Sequence, residues 1–196
     1  MILPSSFYTR ENVVQVAKDL LGKVIVTKID GVTTSGIITE TEAYAGVTDK
    51  ASHAYGGRRT NRTEVMFAKG GIAYVYLCYG IHHLFNVVTN VAGIPHAVLI
   101  RAIEPLKGIN VMLQRRKKNT LQPQLTAGPG ALSMALGIQT IHTGILLNKG
   151  TITLHDDCID VADITTTTRI GVGYAKEDAL LPYRFYITGN RFVSKP

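Results

Sequence analysis

The sequence predicts an α+β fold: one domain, residues 1–196, built on a twisted and mostly antiparallel sheet with helices packed against it. Three observations lead there. Apolar runs of strand length, rich in β-branched and aromatic residues, recur along the chain with turn signals between them, among them Asp30-Gly31, Gly80 and Thr188-Gly189-Asn190. Helical spacing is confined to three stretches. A 196-residue chain that is 45% hydrophobic, with no repeat and no internal boundary, supports one sizeable core.

Residues 7–21 read as one helix. Thr9 is its N-cap, Val13, Val16, Ala17 and Leu20 repeat at helical spacing, and Gly22 is its stop. Residues 23–29 alternate as a strand, Asp30-Gly31 turns the chain, and a return strand runs roughly over 33–44. Residues 45–69 are polar and aperiodic, and a loop of that length inside a compact domain is usually functional or disordered. Its run Gly56-Gly57-Arg58-Arg59-Thr60-Asn61-Arg62 suits phosphate contact and equally suits a solvated loop.

Gly70-Gly71 opens a strand over 72–79, Gly80 breaks it, and 81–89 resume it, so Tyr79 falls at or beside a turn. Aromatic residues within strands, such as Tyr74, usually enter a core, whereas a hairpin tip has little core to enter. His82 and His83 are adjacent on a strand and face opposite ways, and His96, His142 and His155 lack ligand spacing, so no metal is expected. Residues 97–103 form a buried-type strand with Arg101 in its middle. That arginine is either paired with a carboxylate, Glu42 first, or reaches solvent from an edge. Glu104-Pro105 ends the strand, and residues 106–118 read as a helix closing on Arg115-Arg116-Lys117-Lys118. Gly128-Pro129-Gly130 starts another helix ending near Gly137, whose N-terminal amides could hold a phosphate or simply pack. Short strands are expected at 151–154, 169–174, 183–187 and 192–194.

Function concentrates in residues 38–53. Strand alternation points Glu40, Glu42 and Tyr44 the same way, giving two carboxylates and a ring on one side of one strand. Such a pair is either an acid/base site or a solvated edge relieved by a cation. The net charge of +7 is unevenly placed: residues 53–119 hold ten lysines and arginines against two acids, Glu64 and Glu104. That is the footprint of a polyanion surface, or else of a basic protein without such a partner. No run approaches a membrane span and no signal peptide is visible. Cys78 and Cys158, far apart, suit a reduced cytosolic compartment.

Taken together, seven blocks resemble one family, the vertebrate-type alkyladenine (3-methyladenine, or methylpurine) DNA glycosylases. They are ETEAY (40–44), SHAYGGRRTNRTEVMF (52–67), AYVYLCYG (73–80), LIRAIEP (99–105), TAGPG (126–130), RIGVGYA (169–175) and YRFYITGN (183–190). Seven blocks in one order are far more specific than any one of them. The resemblance implies an enzyme of base-excision repair that flips a damaged purine nucleotide out of duplex DNA and cleaves its N-glycosidic bond with water. Glu42 matches the family's catalytic base, Arg101 an arginine that helps hold the attacking water, and Ile170 a main-chain carbonyl contact to that water. Tyr44, His53 and Tyr76 match the pocket around the flipped base, and Asn86 its gate against normal purines. Tyr79 matches the wedge on a protruding hairpin that fills the gap in the DNA stack. Arg58, Arg59, Thr60 and Arg62 are the expected contacts to the DNA backbone. No cofactor or metal is implied, and a monomer in the cytoplasm, at the nucleoid of a bacterium, is expected. The 90–96 turn is slightly longer than in vertebrate members and His82-His83 replaces aromatic or apolar residues, departures that bear on fine substrate preference and not on the chemistry. The long vertebrate N-terminal extension is not in this sequence, which suggests a compact bacterial-like member.

No lysine stands in the matched blocks, so an amine nucleophile and strand cleavage are not expected. A non-catalytic module that reads distorted duplexes is the alternative on the same scaffold, and the presence of both Glu42 and Arg101 favours the enzyme. A metal-dependent hydrolase fails for want of ligands.

Overall fold

The computed structural model describes residues 1–195. Eight strands form one sheet: β1 (Val24–Ile29), β2 (Val32–Tyr44), β3 (Ile72–Cys78), β4 (His82–Thr89), β5 (His96–Lys107), β6 (Ile152–His155), β7 (Ile164–Thr167) and β8 (Arg184–Ile187). Their order is β3-β4-β5-β2-β1-β6, every pairing is antiparallel, and β8 joins β2 to β7. Four short helices accompany them: α1 (Ser5–Tyr8), α2 (Val13–Asp19), α3 (Ile109–Arg116) and α4 (Pro129–Leu136). The α+β architecture expected from the sequence is the one observed. Among the described residues no helix is long and apolar enough to cross a membrane.

The β3–β4–β5 end of the sheet is buried on both faces, and alternation sorts its side chains. Ala73, Val75, Phe85, Val87, Val98 and Ile100 enter the main core with Leu132, Ala135 and Leu136 of α4. Tyr74, Val88 and Ala97 point the other way, into a second cluster closed by Ala54, Met66 and Phe67. The polar 45–69 segment is therefore the cover of the sheet's second face. It is folded into 3-10 turns at Gly46–Thr48, Tyr55–Gly57 and Glu64–Phe67.

Several boundaries differ from the sequence reading, each for a local reason. The single helix over 7–21 is two, because the Tyr8 carbonyl leaves the helical ladder to accept from Asn90 N–H at 2.7 Å. The second helix is then capped by Asn12, whose Oδ1 accepts from Gln15 N–H at 3.0 Å, and not by Thr9. Strand β5 runs through Pro105 instead of stopping there. The ladder shifts register between Ser35 and Gly36 where Pro105 pairs, and a bulge tolerates a residue with no N–H. Gly36 is needed at that crossing, since a Cβ there would lie 2.7 Å from the Glu104 carbonyl oxygen. Helix α3 consequently starts only after Gly108, at φ +74°.

Residues 169–174 are not a strand. The β-branched run Ile164–Thr167 takes that role as β7, and Gly171 at φ +76° turns the chain away. Residues 192–194 are not a strand either. The Phe192 and Ser194 amides donate to the Asn190 Oδ1 and Glu40 Oε2 side-chain atoms, which leaves them no part in a ladder.

Candidate active site

Strand β2 changes register against β5 on both sides of Glu40, and beyond that irregularity β8 takes the place of β1 along its other edge. Glu40 and Glu42 lie where β5 and β8 flank them, and both are fully buried. The solvated-edge reading of this pair is thus overturned, as is that of Arg101, which is 6% exposed. Arg101 bridges both carboxylates: Nε donates to Glu40 Oε1 at 2.9 Å, and Nη1 lies 3.2 Å from Glu42 Oε1. Burial opposes its charge, but Glu42 and then Glu40 outweigh that cost and hold its pKa above the ordinary value.

The two carboxylates are not equivalent. Glu40 accepts from Arg101 Nε, Arg184 Nη1 and the Ser194 hydroxyl on Oε1, and from Ser194 N–H on Oε2. Glu40 is thus held by four donors, three of them crowded on Oε1, and all of them come from β5, β8 and residue 194. Glu42 has three partners. Ile170 N–H donates to Oε1 at 2.7 Å, Arg101 sits against the same oxygen, and the Tyr44 hydroxyl donates to Oε2 at 2.7 Å. One acceptor direction, on Oε2, is unclaimed.

Tyr44 carries the cluster toward a small pocket of about 40 Å³, whose wall includes Tyr44, His53, Tyr74, Tyr76, Asn86 and Tyr174. Glu42 itself stands one hydrogen bond behind that wall. Burial, and then the neighbouring Glu42 charge, push the Tyr44 phenol well above its ordinary pKa and keep it a donor. Tyr74 and Tyr76 come from β3 and Asn86 from β4, all on the sheet face covered by the 45–69 segment. The rings form a partial box: His53 stands edge-on to Tyr76 with centroids 4.7 Å apart, and Tyr76 lies 5.5 Å from Tyr74. His53 Nδ1 is 2.8 Å from the Tyr74 hydroxyl. Burial, helped by Arg62 and Arg58, lowers the His53 pKa to about 4, so the ring is neutral at physiological pH. Asn86 spends both amide protons on the Tyr74 and Leu84 carbonyls, leaving its Oδ1 as the atom able to meet a ligand, as an acceptor.

The model of one family, described as methylpurine-DNA glycosylase, matches residues 6–191. The chain belongs to the methylpurine-DNA glycosylase family. Relatives agree along its whole length. A protein of Chlamydia felis named "Putative 3-methyladenine DNA glycosylase" is 50% identical over 187 residues, 95% of this chain and 96% of its own. Proteins of the same name from Clostridium botulinum and Bacillus thuringiensis are 49% and 47% identical, each aligned over 100% of both chains. The chain is an enzyme, a DNA glycosylase.

On this glycosylase the residues singled out from sequence fall into three groups. Glu42, Arg101, Tyr44 and Ile170 converge, although Ile170 meets Glu42 through its N–H and not its carbonyl. His53, Tyr76 and Asn86 share the pocket with Tyr44. Tyr79 stands apart at the β3–β4 turn, 90% exposed and at φ +51°, with exposed Leu77 and Ile81 beside it. Arg58, Thr60 and Arg62, with Lys50, line an open basin of about 450 Å³ that shares Ser52, His53 and Tyr174 with the pocket. Arg59 stacks on Phe67 and pairs with Glu64 at 3.0 Å.

Sequence reasoning missed the residues that brace the glycosylase site. Arg169 is buried and grips Asp49 with both terminal nitrogens, at 2.5 and 2.9 Å, while lying over the Tyr44 ring at 4.8 Å. This pair fixes the 45–52 turn to the segment that supplies Ile170. Arg184 and Ser194 likewise hold Glu40. Tyr174, inside the matched block 169–175, also escaped notice; its hydroxyl donates to the Ala51 carbonyl at 3.0 Å.

Proposed function

We propose that the protein flips alkylated purines, 3-methyladenine among them, out of duplex DNA and hydrolyses the N-glycosidic bond with a water activated by Glu42. The observation that carries this reading is the contrast between two buried carboxylates: Glu40 is tied by four donors to β5, β8 and residue 194, whereas Glu42 has three partners, one of which, Tyr44, joins it to the aromatic pocket. Bases within a duplex are out of reach, so the nucleotide must leave the stack. Tyr79, at an exposed tip where it buries nothing of the core, suits a wedge that fills the gap. Purines alkylated at N3 or N7 carry positive charge, and the faces of Tyr44, Tyr76 and His53 suit such a cation. A neutral His53 adds no repulsion.

The charge on the base makes it a good leaving group, so little acid assistance is required. Bond cleavage leaves oxocarbenium character on the sugar. The free direction of Glu42 Oε2 would take a proton from water while the carboxylate stabilises that positive sugar. Arg101 and the Ile170 amide fix the orientation of Glu42, and Tyr44 ties it to the pocket. Lys50, which lines the outer basin, is ion-paired with Glu177, and this partner raises its pKa. A protonated amine is no nucleophile, which supports a reaction without strand cleavage. The test is Glu42→Gln on a duplex with one alkylated purine: base release should fall at least 100-fold while lesion binding is retained. Turnover near the wild-type rate would remove Glu42 from the mechanism.

A further inference from the structure

The pocket that should receive a purine is small, and Arg62, which lines the basin outside it, lies against three of its rings. Its guanidinium carbon lies 4.8 Å from the centroid of the Tyr76 ring, in cation–π contact with the aromatic surface. Its Nε donates to the Tyr74 hydroxyl at 3.3 Å, and its Nη2 to His53 Nε2 at 3.2 Å. One planar cation thus engages three of the rings that would surround a base, and it does so with no carboxylate partner among the described residues. Its other side is open: Arg62 is exposed and lines the outer basin of about 450 Å³ with Arg58, Lys50 and Thr60. The inner pocket holds only about 40 Å³. Ligand pockets commonly measure about 300–1,000 Å³, so a base needs room that this arrangement does not give.

We infer that Arg62 is the resident occupant of the base site, a guanidinium seated where an alkylated purine would stack, and that a base enters only by displacing it. The inference rests on the assignment of the aromatic pocket to the flipped base. Arg62 resembles that ligand in being planar and cationic. On displacement it has a destination, the cationic basin outside, which suits a phosphate of the same DNA. His53 Nε2, now an acceptor for Arg62, is released to meet the base.

The displacement cost is the same for every base, so it leaves the ratio of affinities between lesion and normal purine untouched. What it changes is occupancy. A competitor in the site weakens every ligand by one factor, and a weakly held normal purine then stays out while a tightly held lesion still fills the pocket. Arg62 is on this account a specificity threshold and not only a phosphate contact. A pure phosphate contact would strengthen binding of DNA alone.

Free bases separate the two roles, because they carry no phosphate. Binding of adenine and of the permanently cationic 3,9-dimethyladeninium should be measured on the intact protein and on Arg62→Ala, with Arg62→Gln as a second variant. Both variants should bind both bases about tenfold more tightly, the equilibrium worth of one partly desolvated cation–π contact. Unchanged or weaker binding to either variant would overturn the inference and make Arg62 a wall of the pocket or a backbone contact. Failure of all three proteins to bind either base would overturn it as well, by removing the base-pocket assignment on which it rests. The Glu42 assignment is unaffected by either result, since no bond is cleaved in this experiment.

Discussion

Two glutamates two positions apart have different neighbours. Glu40 holds together β5, β8 and the C-terminal segment, and its four donors include two buried guanidinium groups. Glu40→Gln should therefore cost stability, about 3 kcal/mol in chemical denaturation, because breaking a buried ion network leaves charge uncompensated. Glu42→Gln leaves Arg101 its bond to Glu40 and should lose much less. If the two variants lost equal stability, the division between brace and base would fail. His53 gives a pH signature. Its pKa is about 4 in the folded protein against 6.5 ordinarily. Below pH 6.5 the unfolded chain takes up a proton that the folded chain refuses until about pH 4. Its contribution is therefore fully present above pH 6.5 and is lost as pH falls through that window. Thermal unfolding of the protein and of His53→Gln between pH 4 and 7 should show a shallower slope for the variant. Glu42, Arg101 and Tyr44 were legible in the sequence because strand alternation and matched blocks bear on them. Asp49 with Arg169, and Glu40 with Ser194, were not, since each pair closes over more than a hundred residues and leaves no local pattern.

The elements were legible where hydrogen bonding is local and illegible where side chains intercept it. The Asp30-Gly31 turn, with both residues at positive φ, and the α4 boundaries at Gly128 and Gly137 follow from residue chemistry alone. The split first helix, the strand through Pro105 and the non-strand segments at 169–174 and 192–194 depend on partners elsewhere in the chain. The β3–β4 hairpin belongs to the first kind. Its ladder runs unbroken from Ile72↔Val88 to Cys78↔His82, and Tyr79-Gly80 turn at positive φ with Ile81 N–H bonded to the Cys78 carbonyl. Because the tip is held by backbone and not by the Tyr79 ring, Tyr79→Ala should melt within ~2 °C of the parent, a surface-sized change. A wedge acts on the flipping equilibrium and not on bond cleavage. The variant should lose activity by the worth of one stacking contact, ~1–3 kcal/mol, and lose more on a paired lesion than on a mispaired one, whose extrusion is cheaper. Equal losses in both contexts together with a large drop in melting temperature would remove Tyr79 from nucleotide flipping.

Across the whole molecule, the count of basic residues overstates the surface available to DNA. Of the ten in residues 53–119, Arg101 is buried against two glutamates. Arg115 donates to the Ala135 carbonyl, and Arg116 to the Leu125 and Gln124 carbonyls, so both tie α3 to its neighbours. Arg59 is paired with Glu64. The exposed cations left in that segment are Arg58, Lys69, Lys107, Lys117 and Lys118, with Arg62 divided between pocket and basin. Phosphate contacts release counterions, and each adds about −0.9 to the slope of log affinity against log salt concentration. A slope near −3 to −5 is thus expected for duplex binding, roughly half of what ten free charges would give. Arg58 lines the basin beside the pocket and makes no ion pair among the described residues. Arg58→Ala should flatten the slope by about 1 and weaken binding alike on damaged and undamaged duplexes, because a phosphate contact carries no base information. Fluorescence anisotropy across a salt series would measure both quantities. An unchanged slope in Arg58→Ala would take the basin out of the DNA interface, and a profile flat in the parent would take the charge excess itself out of it.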